Sequence, residues 1–209
     1  MIGGLKEALG NGVQQAVAHL GKPDGFLKDL AVMIPMPESL RKVDKSLRAL
    51  GQGSVADEFL ATMNRAAEQA TPEAAAILGN AVKQMSIADA RSILTGTNNA
   101  ATQYFRRSSE TNLYAHFLPI VKAATEKTGV TAAYKRMADL GAGGGGFGAL
   151  GGFGGSLLSK QMPDIDGYVT HKALDGLFTK ISEQEKLIRE NPVARSTDLL
   201  KKVFGNLQK

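Results

Sequence analysis

Apolar residues return every three or four positions along almost the whole of this chain, and that period confines it to helices that each bury one stripe. Residues 5 to 20 set Leu5, Ala8, Leu9, Gly12, Val13, Ala16, Val17 and Leu20 in phase, and Gly21 ends the run. Leu30-Ala-Val-Met-Ile-Pro-Met-Pro37 breaks the pattern, because each proline pushes the residue before it toward extended geometry. This stretch reads as an extended strap, or half of a small two-stranded ribbon.

Helical phase resumes at Pro37 with Leu40, Val43, Leu47 and Leu50, and stops at Gly51. Ser54 and Asp57 read as a weak capping box ahead of Val55, Phe59, Met63 and Ala66. Thr71-Pro72-Glu73 reads as a cap, a first-turn proline and a dipole-friendly acid before Ile77, Leu78, Ala81, Val82 and Met85. A short helix capped by Ser86 runs to Leu94, a second piece covers Asn98 to Arg106, and another starts at Ser108, kinked or begun afresh near Pro119. Tyr134, Met137 and Leu140 continue the period. After Val169, Ala173, Leu174, Leu177, Phe178, Ile181 and Ile188, the positions Leu199, Leu200, Val203, Phe204 and Leu207 close the core.

Between these parts, residues 141–155 are mostly glycine, which costs too much backbone entropy for a regular element. The expected fold is all-α: a single-domain multi-helix bundle over residues 1–209, with one short extended segment near residues 30–36 and a flexible glycine-rich loop at 141–155. Phe147, Leu150, Phe153, Leu157 and Leu158 give that loop the apolar content of a docking segment.

Composition removes several chemistries. There is no cysteine, so disulfides, thiolate nucleophiles and cysteine-ligated metals are excluded. The three histidines, His19, His116 and His171, show no metal-binding spacing, and no cofactor is expected. Hydrophobic residues are 43% and charged residues 22%, a balance that supports a core and a wetted surface. The net charge of +5 is spread thinly, with an excess of two, one and two positive residues over 1–53, 54–139 and 140–209, which argues against a nucleic-acid footprint. No stretch approaches the 18 or so apolar residues of a membrane span, and Met1 to Leu9 lacks the basic start and apolar run of a signal peptide.

Gly141-Ala-Gly-Gly-Gly-Gly146 matches the dinucleotide fingerprint formally, but no strand precedes it and no phosphate-loop lysine follows. Gly154-Gly-Ser-Leu-Leu158 lacks the second glycine of a nucleophile elbow. The polar residues that stand out lie inside small, apolar helical stretches. Asn64, Arg65 and Glu68 share one helix; Thr102, Tyr104 and Arg106 follow two alanines; Tyr168, Arg189 and Arg195 lie toward the C-terminus, where Glu185 and Arg189 form an i,i+4 pair. Polar groups on packed faces need partners, so several of these nine candidates are expected to converge, as a structural strut or as a cavity wall.

Gly4-Leu-Lys-Glu-Ala-Leu9, Pro37-Glu-Ser-Leu40, Met63-Asn-Arg-Ala-Ala-Glu68, Ala100-Ala-Thr-Gln-Tyr-Phe-Arg106, Tyr168-Val-Thr-His-Lys-Ala-Leu-Asp-Gly-Leu-Phe178 and Ile188-Arg-Glu-Asn-Pro-Val-Ala-Arg195 together resemble the family called domain of unknown function 4197. Six separated blocks in the expected order make the likeness specific, and it spans nearly the whole chain. The resemblance implies a mostly helical protein with no activity, ligand or catalytic residue to carry over. It also implies a bacterial envelope or periplasmic setting, or a eukaryotic one such as an organelle. The chain departs from the family in starting almost at the first block, without a leader, and in its long glycine run.

The leading functional expectation is a non-catalytic interaction or assembly protein with a protein partner or a second copy of itself. The alternative is a binder of a small, partly apolar ligand between helices, with the polar candidates as its fringe. A third reading is an acid-base enzyme using carboxylates such as Glu68 and Asp89. The loop reading has a direct test: limited proteolysis of the free protein is expected to cut first near Phe147 or Phe153, and first cuts elsewhere refute it.

Overall fold

The computed structural model describes residues 2–128 and 164–190. Their elements are α1 (Ile2–Leu20), α2 (Arg41–Ala49), α3 (Gly53–Ala70), α4 (Ala74–Gln84), α5 (Ile87–Thr95), α6 (Ala100–Thr128) and α7 (Ile165–Glu190), with one-turn 3-10 helices at Glu38–Leu40 and Thr71–Glu73. No strand occurs among the described residues, and the fold is all-α. The Gly-rich run 141–155, the positions Tyr134, Met137 and Leu140, and the closing stretch from Leu199 to Leu207 lie outside the described residues.

The long helices pack as their periodicity requires. Leu5, Ala8, Leu9, Gly12, Val13, Ala16, Val17 and Leu20 are all buried along α1, which lies against α7 and α4. α6 is the central element, packed against α7, α3, α4 and α5. Phe26, Phe59, Phe105, Phe117 and Phe178 fill the middle of one shared hydrophobic core.

Several local expectations are corrected. Asn98–Arg106 and the stretch from Ser108 are one helix, α6, which passes through Pro119 without a break. Pro119 is exposed, so the carbonyl that loses its helical partner faces water. Ser54 and Asp57 do not form a capping box: α3 begins at Gly53 with no side-chain cap, and Asp57 instead accepts from Arg48 at 2.7 Å. Thr71 bonds back to the Ala67 carbonyl at 2.8 Å rather than capping α4. Leu50, placed on the buried stripe of α2, is 69% exposed because that helix ends before it and Gly51 turns the chain through a left-handed φ of 74°. The Ser86 cap stands, and it is one half of a complete capping box with Asp89.

Residues 21–37 form a strap between helices, unpaired with any strand: a series of turns to residue 32, bonded within themselves (Lys28 N–H to Asp24 O, Met33 N–H to Asp29 O), then extended chain over 33–37. The turn Lys22-Pro23-Asp24-Gly25 starts it, with Asp24 at φ 63°, a conformation aspartate tolerates better than most residues. Phe26 then plugs into the core beside α7. The contact is close: a Cβ on Gly176 would lie 2.7 Å from Phe26 Cε1 and 3.2 Å from Val32 Cβ, so this glycine provides the seat for the strap.

Gly176→Ala is therefore expected to destabilise the protein by about 1–3 kcal/mol, the cost of overpacking. Gly79 of α4, where an added Cβ meets nothing within 4 Å, is the control. There alanine is expected to stabilise by roughly 0.5–1 kcal/mol through helix propensity. Urea unfolding of the two variants reads both signs.

Candidate functional site

The strap's own turns leave Phe26 and Ile34 without a backbone partner for their N–H groups, and α3 supplies substitutes. Asn64, fully buried, accepts from the Ile34 N–H at Oδ1 (2.8 Å) and donates from Nδ2 to the Ile34 carbonyl (3.1 Å) and to Leu60 O (2.8 Å). One amide side chain thus reads both polar groups of an extended residue, as a neighbouring strand would. One turn on, the Glu68 carboxylate accepts from the Phe26 N–H at 3.2 Å. Burial pushes the Glu68 carboxyl above its ordinary value, against the lowering effect of the Phe26, Leu27 and Asp24 backbone N–H groups.

From α7, the Tyr168 hydroxyl donates to Pro35 O at 2.9 Å, and Lys180 pairs with Asp29 at 2.7 Å. His19 Nε2 meets the same Asp29 carboxylate at 3.1 Å from α1. The Lys180 bond, foremost, holds Asp29 below the usual carboxylate range against its burial. Burial works against the Lys180 ammonium, yet its bonds to Asp29 and Glu183 outweigh that and raise its pKa.

A second polar centre lies where α7 crosses the start of α6. Glu185, only 4% exposed, accepts from the backbone N–H groups of Ala101 and Thr102, both at 2.9 Å, and from the Thr102 hydroxyl at 2.9 Å. These N–H groups have no carbonyl four residues back within the helix, and they form its positive end, so a buried carboxylate is well placed there. Arg189 balances the charge, donating to Glu185 at 2.8 Å and to the Ile93 carbonyl at the end of α5 at 2.8 Å.

The nine candidates therefore divide. Asn64, Glu68 and Tyr168 meet at the strap; Thr102 and Arg189 meet around Glu185. Arg106 belongs to neither, lying half-exposed over the Phe178 ring at 4.6 Å and pairing with Glu110 at 3.0 Å and Asp175 at 3.2 Å. Arg65 is exposed at the rim of a 380 Å³ cleft shared with Gly21, Pro23, Asp24, Glu68 and Gln69. Tyr104 points the other way, its hydroxyl donating to Ala81 O of α4 at 3.1 Å, and burial raises its pKa. Arg195 lies outside the described residues.

The spacing of Asn64 and Glu68, and of Glu185 and Arg189, signalled that they act together. Nothing local signalled that Asp29 meets His19 and Lys180, or that Gly176 receives Phe26. Among the described residues no group of three or more histidines and carboxylates could hold a metal, and every buried side-chain nitrogen and oxygen has a hydrogen-bond partner. Asp89 caps α5, and its bonds to Ser86 lower its pKa, the opposite of what a general acid at neutral pH needs.

The family described as Protein of unknown function (DUF4197) matches residues 1–205. The chain belongs to that family. No curated protein and no solved structure matches the chain. In this DUF4197 protein the Met63–Glu68 block supplies Asn64 and Glu68, and Tyr168–Phe178 supplies Tyr168, Gly176 and Phe178. Ala100–Arg106 is the α6 start held by Glu185, and Arg189 opens the last block. Blocks by which the chain resembles DUF4197 are thus, in large part, contacts of the strap and of the α6 start.

The two centres respond differently to substitution. Glu185→Ala removes the carboxylate that balances the buried Arg189 charge and leaves two helix N–H groups without it, and is expected to cost about 3 kcal/mol or more. Glu68 carries a pH signature. Its folded pKa is raised, so its favourable contribution is complete below the ordinary glutamate value and is lost as pH rises through the folded one. Glu68→Gln keeps an acceptor for Phe26 but cannot titrate. Wild type is therefore expected to be best relative to Glu68→Gln near pH 4 and to lose that advantage toward pH 7, as read by denaturant unfolding across the range.

Proposed function

We propose that this chain is a non-catalytic helical interaction or assembly protein, organised as a single domain. The observation that carries the reading is where the buried polar groups go. Asn64 and Glu68 bond the strap, and Glu185 and Arg189 bond helix ends, so these groups hold backbone rather than line a reaction site. The acid-base alternative draws no support from a Glu68 that faces the strap and an Asp89 bound into a cap. A small apolar ligand held by the polar candidates has little support for the same reason, since that fringe is divided between two structural centres.

The partner is a protein or a second copy of the chain. No helix among the described residues is long and apolar enough to cross a membrane. The evenly spread charge gives a nucleic acid no surface to follow.

The test is the state of the chain in its native source. Native mass spectrometry and cross-linking of the protein purified at endogenous level are expected to give a discrete complex with a protein, or a homo-oligomer, at fixed stoichiometry. A monomer carrying a retained small molecule overturns the reading in favour of the ligand-binding one. A bare monomer overturns it as well.

A further inference from the structure

Helices α4 and α6 lie side by side, and their facing rows do not close on each other. From Glu73, at the N-cap of α4, the residues Ile77, Asn80 and Gln84 follow at steps of three or four; along α6, Tyr104, Ser108, Asn112 and His116 step by four. Between the rows runs a groove of about 410 Å³, with Ala76, Ala81 and Ser109 also in its lining. At 1.5 Å per residue the rows extend roughly 16–18 Å, the length of about five residues of extended chain.

The groove gathers three side-chain amides along its two rows. The side chains of Asn80, Gln84 and Asn112 are exposed and make no hydrogen bond with any described residue, whereas the Asn64 amide is bonded to Ile34 of the strap and to Leu60 O. The lining holds one carboxylate, Glu73, and one imidazole, His116. We propose that the α4–α6 groove binds an extended, uncharged polypeptide segment of a partner protein, its main chain read by the side-chain amides of Asn80, Gln84 and Asn112.

The precedent is internal. Asn64 on α3 already holds the extended residue Ile34 by both its N–H and its carbonyl, in a stretch kept from helix by Pro35 and Pro37. The groove presents the same group three times along two parallel rows, with small residues between them that let a backbone approach. Main-chain bonds of this kind supply affinity while side-chain pockets supply specificity. A sugar chain is the less fitting occupant because it needs an open aromatic face. The groove's one six-membered ring, Tyr104, is half-buried, edge-on to Phe105 at 5.7 Å and tied to Ala81. The shortage of charge argues against a phosphorylated or strongly acidic segment.

This inference rests on the reading of the chain as an interaction protein, and the experiment separates the two. Random dodecapeptides displayed on phage are selected on the full chain and counter-selected on Asn80→Ala/Asn112→Ala, whose surface positions leave the core intact. The best synthetic peptide is titrated by fluorescence anisotropy against both proteins and against Lys42→Ala, an exposed position on α2. Expected is binding about tenfold weaker or worse to the double variant, since two lost hydrogen bonds of about 1 kcal/mol each exceed the 1.4 kcal/mol of a tenfold change. Lys42→Ala is expected to bind as wild type does, and backbone N-methylation of the peptide to weaken binding.

Failure to enrich any peptide, or equal binding to the double variant, overturns the proposal. So does a chitotetraose titration that shifts the side-chain amide NMR signals of Asn80 and Asn112 where the peptides do not. A native complex that survives Asn80→Ala/Asn112→Ala unchanged overturns the groove alone and leaves the assembly reading standing.

Discussion

Seventeen residues outside any helix, 21–37, run between α1 and the short turn before α2, and the fold depends on satisfying the backbone groups that their turns leave over. A buried N–H or carbonyl left unbonded costs roughly 1–3 kcal/mol, so a strap carrying Phe26, Val32, Ile34 and Met36 into the core needs polar partners delivered there. Asn64 and Glu68 supply them from α3 and Tyr168 from α7, while Lys180 of α7 and His19 of α1 hold the Asp29 side chain. Helices that meet the strap are thereby also tied to one another. Their placement follows from its hydrogen-bonding needs as much as from the apolar stripes.

Glu185 solves the opposite problem. The start of α6 is regular but buried, so its first N–H groups cannot reach water, and neighbouring side chains such as Asn98 and Asn99 point elsewhere, to Glu190 and to Gln103 and Thr97. A carboxylate from another helix takes the capping role, and Arg189 joins it to the last turn of α5. Three helix segments then share one charge-balanced knot. Such a knot gives little net stability over an apolar replacement of the same volume, but it fixes how α5, α6 and α7 fit together.

Much of this was legible in the sequence wherever the controlling interaction is local. The buried stripe of α1, the break in helix at Pro35 and Pro37 and the Ser86 cap are all legible, because period, proline and cap chemistry act over a few residues, whereas the extended stretch covers 33–37 rather than 30–36. What failed was decided at a distance. Thr71 looks like a cap, yet α3 runs into it with the backbone still helical, so its hydroxyl turns back to Ala67. Asp57 looks like half of a capping box, yet Arg48 claims it. A polar residue on a packed face needs a partner, but a sequence does not say whether it meets another such residue or a main chain. Asn64 and Glu68 meet the main chain, which is why one expected cluster became two centres.

That division bears on where function lies. Residues buried for the sake of the strap and the α6 start are constrained by folding, so the family's recognisable blocks describe a scaffold more than an active centre. Among the described residues, the groups that neither centre uses include the amides on the outer faces of α4 and α6, outside those blocks, where a side chain can change without loss of the core. A protein that binds through such a surface holds its frame through the buried contacts and varies its partner through the exposed ones. The bonds of Asn64 to Ile34 show the chemistry such amides perform when a backbone is brought to them.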